Sequence, residues 1–535
     1  VSISSSTFHG LSLASEPSSG LKFVGKIRDP LHDTIPFTAA EKAIINSPEF
    51  QRLRRIQQTA FIKYVFPGAT HTRFEHSLGV MHMSGVMLSR LIANQTRLLE
   101  SLASAVEAQP PLVQSSFSLT EQMHGSLRET HRALPYLGSP EIAQALRFSA
   151  LLHDVGHAPY SHSMERFLPT WAEVRAALPT LGLPDYLRTA LEAKITKLTT
   201  REPGRLRQRV RHELYTLLIV ARLFTRDAPF LGAEMGQDVC SLIDCDVPPS
   251  PGGALERSGL QALLHEMVSG ELDVDRMDYL MRDSRQCGVV YGFFDAGRIL
   301  DSAGFYFDSM TGRFHLALRR SGVAAFEDFL RARWSMYQQV YFHKTATACE
   351  AMLEALRKFC PALTLPLDTE AYLKLDDASF PEWARARIPE GQEEAGRLID
   401  DLFFNRYLWK RVYEESAPKS ALSTQPSLCP AILHYLQRLS LPAELAESGT
   451  SLTRFAPRSA RSSHSENSLR VIVKDVHSLR FLEPIENHSA LIGRNDEETI
   501  VRRIFVGRRG ADGKPIDTDA VQRLVSSTVV TPKLD

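Results

Sequence analysis

No stretch of this 535-residue sequence is apolar enough for long enough to cross a bilayer. A spanning helix needs about 18 consecutive apolar residues, whereas the best run, Leu214 to Phe224, is short and broken by Thr216 and Arg222. Neither charge is in surplus: Lys plus Arg and Asp plus Glu number 62 each. No overall field therefore draws the chain to nucleic acid or to an anionic membrane, and any such binding has to be local. Cysteine is scarce, with six residues (Cys240, Cys245, Cys287, Cys349, Cys360, Cys429) and no C-x-x-C pair. That excludes a dense disulfide framework and points to buried or free thiols in a reducing, cytoplasmic compartment. Residues 1–20 are Ser-rich without a basic start or an apolar core, so they read as a disordered leader and not as a secretory signal. What remains is ordinary globular composition, 43% apolar and 23% charged, with length for about two to four domains.

Helical spacing dominates the first two thirds. Phe50, Leu53 and Ile56, then Leu78, Met81, Val86 and Leu88, recur at helical intervals, and Pro67-Gly68 marks a turn. Residues 95–140 are Ser-, Gln- and Leu-rich with weaker periodicity and read as an insertion between two helices. Helical patterns resume at 140–167, 205–224, 274–283 and 322–359. Gly304 to Phe307 and Phe314 to Leu318, separated by Thr311-Gly312, predict a β-hairpin, read as a small appendage. After Pro361 the chain becomes Pro-punctuated, and Arg470 to Val473 and Arg503 to Val506 read as strands. The expected organisation is a mainly α fold: a helical core over 21–360 and a smaller α+β C-terminal region over 361–535, suited to oligomerisation or regulation.

Chemistry concentrates in Ala150 to His162. His153-Asp154 ends an apolar helix and offers an imidazole beside a carboxylate, a metal-ligand pair. His157 lies four residues on, Gly156 and Pro159 stop the helix, and Ser161 can cap a turn carrying His162. A lone histidine at a helix end is usually a hydrogen-bonded structural group, but three beside an aspartate form a cluster of proton carriers and ligands. Upstream, Arg73-Phe74-Glu75-His76 supplies another imidazole at a helix start. Downstream, Asp275, Tyr279 and Asp283 fall within about 80° of one another on a helix. Asp278 and Arg282, at i,i+4, read as surface support, and Asp273 as an N-cap. Arg333, Tyr337 and Tyr341 form one stripe. Aromatic stripes are usually core, but an arginine at the end makes this one a candidate phosphate clamp with a stacking wall.

The order His76, His153-Asp154, Asp275 resembles the HD-domain metal-dependent phosphohydrolases. More narrowly, Phe50 to Ile56, Arg73 to Val80, His153 to His157 and Asp275 to Tyr279 resemble the deoxynucleoside triphosphate triphosphohydrolases. Those include bacterial dGTPase-type enzymes and vertebrate proteins that join a SAM domain to an HD domain. The resemblance covers roughly residues 21–360 and implies an HD-domain helical core. It makes His76, His153, Asp154 and Asp275 the ligands of a divalent metal, an N/O set suited to Mn, Mg, Fe, Co or Ni. His162 would protonate the leaving 5′ oxygen, with His157 and His212 at the α-phosphate or a second metal. Arg73, Arg276, Arg333 and Tyr279 would bind the triphosphate. Gln58 and Asp283 would bind the 3′-hydroxyl, Tyr341 would crowd the 2′ position, and Tyr337 would join the substrate wall. The sequence departs from relatives at Thr59, where some have leucine, at Tyr337, where another has histidine, and at Asn46, where tetrameric relatives carry an acidic residue that helps bind a regulatory nucleotide.

The implied reaction converts a dNTP to a deoxynucleoside and inorganic triphosphate, in a homo-oligomer (dimer or tetramer) that a nucleotide can activate. A triphosphate carries about four negative charges, which a net-neutral chain can hold only by concentrating arginines and metal at one point. Two other readings compete. The same ligand order serves phosphohydrolases of cyclic nucleotides, ppGpp or nucleoside monophosphates, which need fewer arginines. Basic stretches at 201–211, 454–461 and 502–509 would suit a non-enzymatic nucleotide- or nucleic-acid-binding scaffold.

Overall fold

The computed structural model describes residues 20–107, 121–421, 427–450, 469–475, 480–489, 491–492 and 498–530. The 1–19 part of the expected leader and the basic stretch at 454–461 lie outside them. The described chain opens with an antiparallel hairpin, β1 (Phe23–Asp29) and β2 (Asp33–Thr38), in register at Ile27 and Ile35. Its connecting turn is held by Asp29, whose carboxylate accepts the N–H groups of Leu31 and His32 at 2.8 Å. Thr38 then caps α1 (Ala39–Ile45) through a reciprocal capping box with Glu41.

Two long helices form the spine. In α2 (Arg73–Glu107), Glu75 folds back to accept the Thr72 N–H at 2.9 Å, which fixes the first turn and hence His76. The helix α3 (Glu121–Leu137) follows, and then α4 (Pro140–Leu152), which starts on a Ser139 cap with Pro140 at its first position. α4 is buried around most of its circumference because it is covered on both sides. Phe148, Leu151 and Leu152 enter one large core, while Leu146, Ala143 and Ala150 enter a second. α2 divides in the same way, with Phe74, Leu78 and Met81 on one side and Val80, Met83 and Met87 on the other. The ends of these helices that carry His76 and His153 thus meet at the seam between the two cores. A buried fork, with Arg147 Nε and Nη2 at 2.6 and 2.9 Å from the two Glu41 oxygens, ties α1 to α4.

Around the spine lie α5 (His212–Arg222), α6 (Ala233–Ile243), α7 (Gln261–Ser269) and α8 (Val274–Cys287). Asp273 caps α8, accepting the Arg276 N–H at 2.7 Å as the sequence suggests, and Gly288 ends it in the left-handed region at φ 70°. The expected hairpin is present as β3 (Ala303–Asp308) and β4 (Arg313–Arg319). It is not an appendage. Phe305 and Phe314 are buried in the second core, and β4 continues by parallel pairing into a strand from far along the chain. After α9 (Val323–Met336) and α10 (Lys344–Phe359), the first core continues without a break through Leu363, Tyr372, Phe380 and Trp409.

The rest is α+β. β5 (Lys410–Pro418), α11 (Cys429–Arg438), β6 (Ala443–Thr450) and β9 (Thr499–Val506) build an antiparallel sheet in the order β5-β9-β6. A small core of Val412, Leu436, Ile504 and Val525 joins it to α11 and α12 (Thr518–Val530). β7 (Arg470–Asp475) and β8 (Arg480–Pro484) instead complete the β3-β4-β7-β8 sheet. The fold is mainly α with a smaller α+β C-terminal region. The basic stretch on β9 is largely paired, Arg502 with Glu447 at 2.8 Å and Arg503 with Glu414 at 2.6 Å.

Candidate metal centre and substrate cavity

Three helices converge on one point. α2 supplies His76, the end of α4 supplies His153 and Asp154, and α8 supplies Asp275. His76 Nε2 lies 2.9 Å from Asp275 Oδ1 and 3.5 Å from Asp154 Oδ2. His153 Nε2 lies 3.3 Å from Asp154 Oδ1 and 3.7 Å from Asp275 Oδ1. Neither Nε2 makes a hydrogen bond, although both are buried. The other nitrogen of each ring is occupied: His76 Nδ1 donates to Asp278 at 2.8 Å and His153 Nδ1 to the Ala150 carbonyl at 2.8 Å. Those bonds leave both Nε2 lone pairs aimed at the carboxylates, the arrangement a coordinated imidazole needs. Two nitrogens and two carboxylates without hydrogen bonds among them fit a divalent cation.

The electrostatics agree. Burial disfavours charge on His76, but the Asp275 and Asp278 carboxylates outweigh it and raise its pKa to about 10. Burial likewise opposes ionisation of Asp154, and Arg73, His153 and His157 overcome it, holding that carboxyl well below its ordinary value. Asp275 is lowered against the same burial by His153 and His76. So much negative charge focused on one imidazole is the field that a cation satisfies while the ring stays neutral.

Asp278 corrects the surface reading made from its spacing. It is fully buried, accepts from His76 and His32, and is clamped by Arg282 at 2.8 Å, which also reaches Asp29 at 2.9 Å. Gly79 is what lets this carboxylate approach α2, since a Cβ there would sit 2.0 Å from Asp278 Oδ1.

Beside the first group lies a second: His157, His162, Glu165 and His212, with ligand atoms within 4.8 Å of one another. His157 and His212 stack at 3.7 Å, and His157 Nε2 approaches Asp154 Oδ1 at 3.1 Å. Glu165, which the sequence reading missed, holds His212 Nδ1 at 2.7 Å and His162 Nδ1 at 3.1 Å. Its i,i+3 spacing from His162 was the available signal. Burial works against the charge on His212, and Glu213 and Glu165 raise it to about 9 in spite of that. His157 is held neutral by burial, Arg73 and His212.

Both groups edge a cavity of about 920 Å³. Of the residues singled out above, His153, Asp154, Asp275, His157, His162 and His212 line one end, with Arg73. Gln58, Tyr279, Asp283, Tyr337 and Tyr341 also line it. His76, Arg276 and Arg333 stand behind the wall. Arg73 is committed to Asp154 at 2.5 Å and Ser161 at 2.9 Å, and Arg276 to the Gly270 carbonyl at 2.5 Å. Arg333 lies over the Tyr337 ring at 5.0 Å. The Tyr341 hydroxyl donates to Asp283 at 2.7 Å, and His71 grips the other oxygen of Asp283 at 2.6 Å.

The family model described as "HD associated region" matches residues 294–424. An uncharacterized protein of Methanocaldococcus jannaschii, MJ1154, is 29% identical over 61% of this chain and 48% of its own length. The deoxynucleoside triphosphate triphosphohydrolase SAMHD1 of Gallus gallus is 27% identical over 73% of this chain and 56% of its own. The chain is thus similar to an HD-associated region over residues 294–424 and to deoxynucleoside triphosphate triphosphohydrolases over about three quarters of its length. It spans about half the length of these two relatives. A solved structure described as a phosphohydrolase from Bacteroides thetaiotaomicron shares the fold, with TM-score 0.55 over 91% of this chain and all of that one at 21% identity.

Proposed function

We propose that the protein hydrolyses deoxynucleoside triphosphates to a deoxynucleoside and inorganic triphosphate. The observation that supports this reading is the grouping of His76, His153 and Asp154, with Asp275 2.9 Å from His76, beside a second group of His157, His162, Glu165 and His212 at a cavity large enough for a nucleotide, with Gln58, Asp283 and Tyr341 also on its wall. A divalent cation held by His76, His153, Asp154 and Asp275 would acidify water and screen charge developing on the α-phosphate. His212, cationic at neutral pH, supplies fixed positive charge beside that phosphate. His162 donates a proton to the leaving 5′ oxygen, and Glu165, hydrogen-bonded to its Nδ1, orients the ring for that transfer. Gln58 Oε1, buried and without a hydrogen bond, is an acceptor for a sugar hydroxyl. The Asp283–Tyr341 bond fixes the phenol where it crowds the 2′ position. Assembly into an oligomer and activation by a bound nucleotide belong to the same reading.

Chromatographic product analysis of metal-loaded protein with each dNTP and NTP, singly and in mixtures, tests it. Deoxynucleoside plus intact triphosphate, lost in Asp154→Ala, is the expected outcome. Metal-bound protein that releases no triphosphate from any dNTP, alone or in mixtures, overturns it.

A further inference from the structure

Behind the cavity lies a half-buried carboxylate that the reaction scheme does not use. Asp377 follows α10 by 18 residues in a loop packed into the first core. Its Oδ1 accepts the Tyr160 N–H at 2.6 Å, its Oδ2 accepts the Gln57 N–H at 3.0 Å, and its own carbonyl accepts the Tyr160 hydroxyl at 2.8 Å. Each amide belongs to a turn that delivers a site residue: Gln57 precedes Gln58, and Tyr160 comes two residues before His162.

Both turns are strained. Tyr160 and Ser161 have φ of 53° and 56°, and Ala60 has φ of 48°. These are left-handed conformations in which a side chain costs free energy, and they persist only where surrounding contacts over-determine them. Three of the six such non-glycine residues among the described ones lie in these two turns. Ser161 Oγ donates to the Gln57 carbonyl at 2.7 Å and accepts from Arg73 at 2.9 Å, so the turns are tied to each other and to the metal-side arginine. Arg52 makes a parallel tie, donating to the carbonyls of Leu375 at 2.8 Å and His157 at 2.9 Å.

We propose that Asp377 is a positioning residue, a single carboxylate that clamps the turn bearing Gln58 to the turn bearing His162 and so sets the distance between sugar recognition and proton donation. This rests on the phosphohydrolase reading given above. Burial pushes the Asp377 carboxyl up to about 6, against the Tyr160 and Gln57 amides that favour its anion, so at neutral pH both oxygens are acceptors. Residues 360–409, between α10 and β5, are then part of the catalytic unit, although none of them lines the cavity.

The full chain, loaded with Mn²⁺, is compared with Asp377→Ala and Asp377→Asn for metal content, amide hydrogen exchange, and kcat and KM with the dNTP it cleaves best. Metal content should stay the same, because no ligand touches Asp377. Exchange at Gln57 and Tyr160 should accelerate about tenfold in Asp377→Ala, the size of a lost buried hydrogen bond. The kcat should fall about 100-fold, as small misplacement of reacting groups costs, with Asn between Ala and wild type because it keeps one acceptor oxygen. Should Asp377→Ala not fold, Asp377→Asn decides. Unchanged exchange overturns the clamp, and accelerated exchange with kcat per metal-loaded molecule within about twofold of wild type overturns the positioning role. If the wild type cleaves no dNTP, the substrate reading fails on its own and kcat is measured with bis(p-nitrophenyl) phosphate. Inactivity there as well rejects the proposal.

Discussion

The two ends of the cavity are built differently. At the end with the candidate metal centre every candidate ligand sits on or at the end of a helix, and His76 and His153 each have Nδ1 tied down. The carboxylate behind His76 is itself held by His32 and Arg282, and Arg282 in turn by Asp29. Elsewhere on the wall, α10 and β6 carry charged pairs with at least one partly exposed partner: Glu350 with Arg166, Lys358 with the buried Glu444, and Glu447 with Arg502. Lys358 and Glu447 are about half exposed. A centre that must hold a cation against water requires preorganised, desolvated groups. A wall that only shapes the remainder of a ligand can use screened pairs that rearrange at little cost. The difference locates chemistry at one end and adaptability at the other.

Four changes sharpen or break that contrast. The largest effect should come from Glu165→Gln, which removes the carboxylate behind His162 and His212. The kcat should drop about 10²- to 10³-fold with metal content intact; an unaffected kcat would take His162 out of the relay. Next, Asp278→Asn should weaken metal binding about 10- to 100-fold, read by titration of Mn²⁺ into metal-free protein. Equal affinity would mean that the ring of His76 is oriented by packing alone.

The third concerns pH. His82, on α2 next to the His32 ring at 5.4 Å, is pushed down to about 3 by burial, His32 and Arg147. Its folded pKa lies below its unfolded value of about 6.5, so the unfolded chain binds the extra proton. The resulting stability is complete above about pH 6.5 and is lost as pH falls from there towards 3. Thermal unfolding should therefore show Tm falling below pH 6.5 in wild type and a shallower fall in His82→Gln; identical slopes would exclude this histidine as the source. Smallest, Glu447→Ala should shift stability by less than about 1 kcal/mol and leave kcat unchanged, as for other exposed ion pairs. A kcat loss there would dissolve the distinction between the two ends.

How far the sequence could be read follows the same division. That His76, His153, Asp154 and Asp275 come together was readable because ligand chemistry needs particular residue types near helix ends; their role as ligands remains the proposal made above. Asp278 misled for a physical reason: an i,i+4 Asp–Arg pair has the same spacing in water or in a core, and only the fold shows which side of α8 is covered. Glu165 was readable from its step of three after His162 and was passed over. Asp377 had no local signal, since its partners are backbone amides more than 200 residues upstream. The hairpin β3–β4 was legible from alternation and its turn. The parallel pairing that draws it into a larger sheet was not, because register between distant strands leaves no trace in either segment.

That pairing has a consequence for how the chain is made. β4 ends at Arg319 and its partner β7 begins at Arg470, and a ribosome adding about 5 to 20 residues per second needs about 8 to 30 seconds to cover the interval. For that time the hairpin leaves the exit tunnel with one edge bare, its backbone groups unpaired and open to any passing strand. Parallel closure across such a span is slow once the loop is available, so nascent chains stalled between these two points are where aggregation and chaperone capture should concentrate.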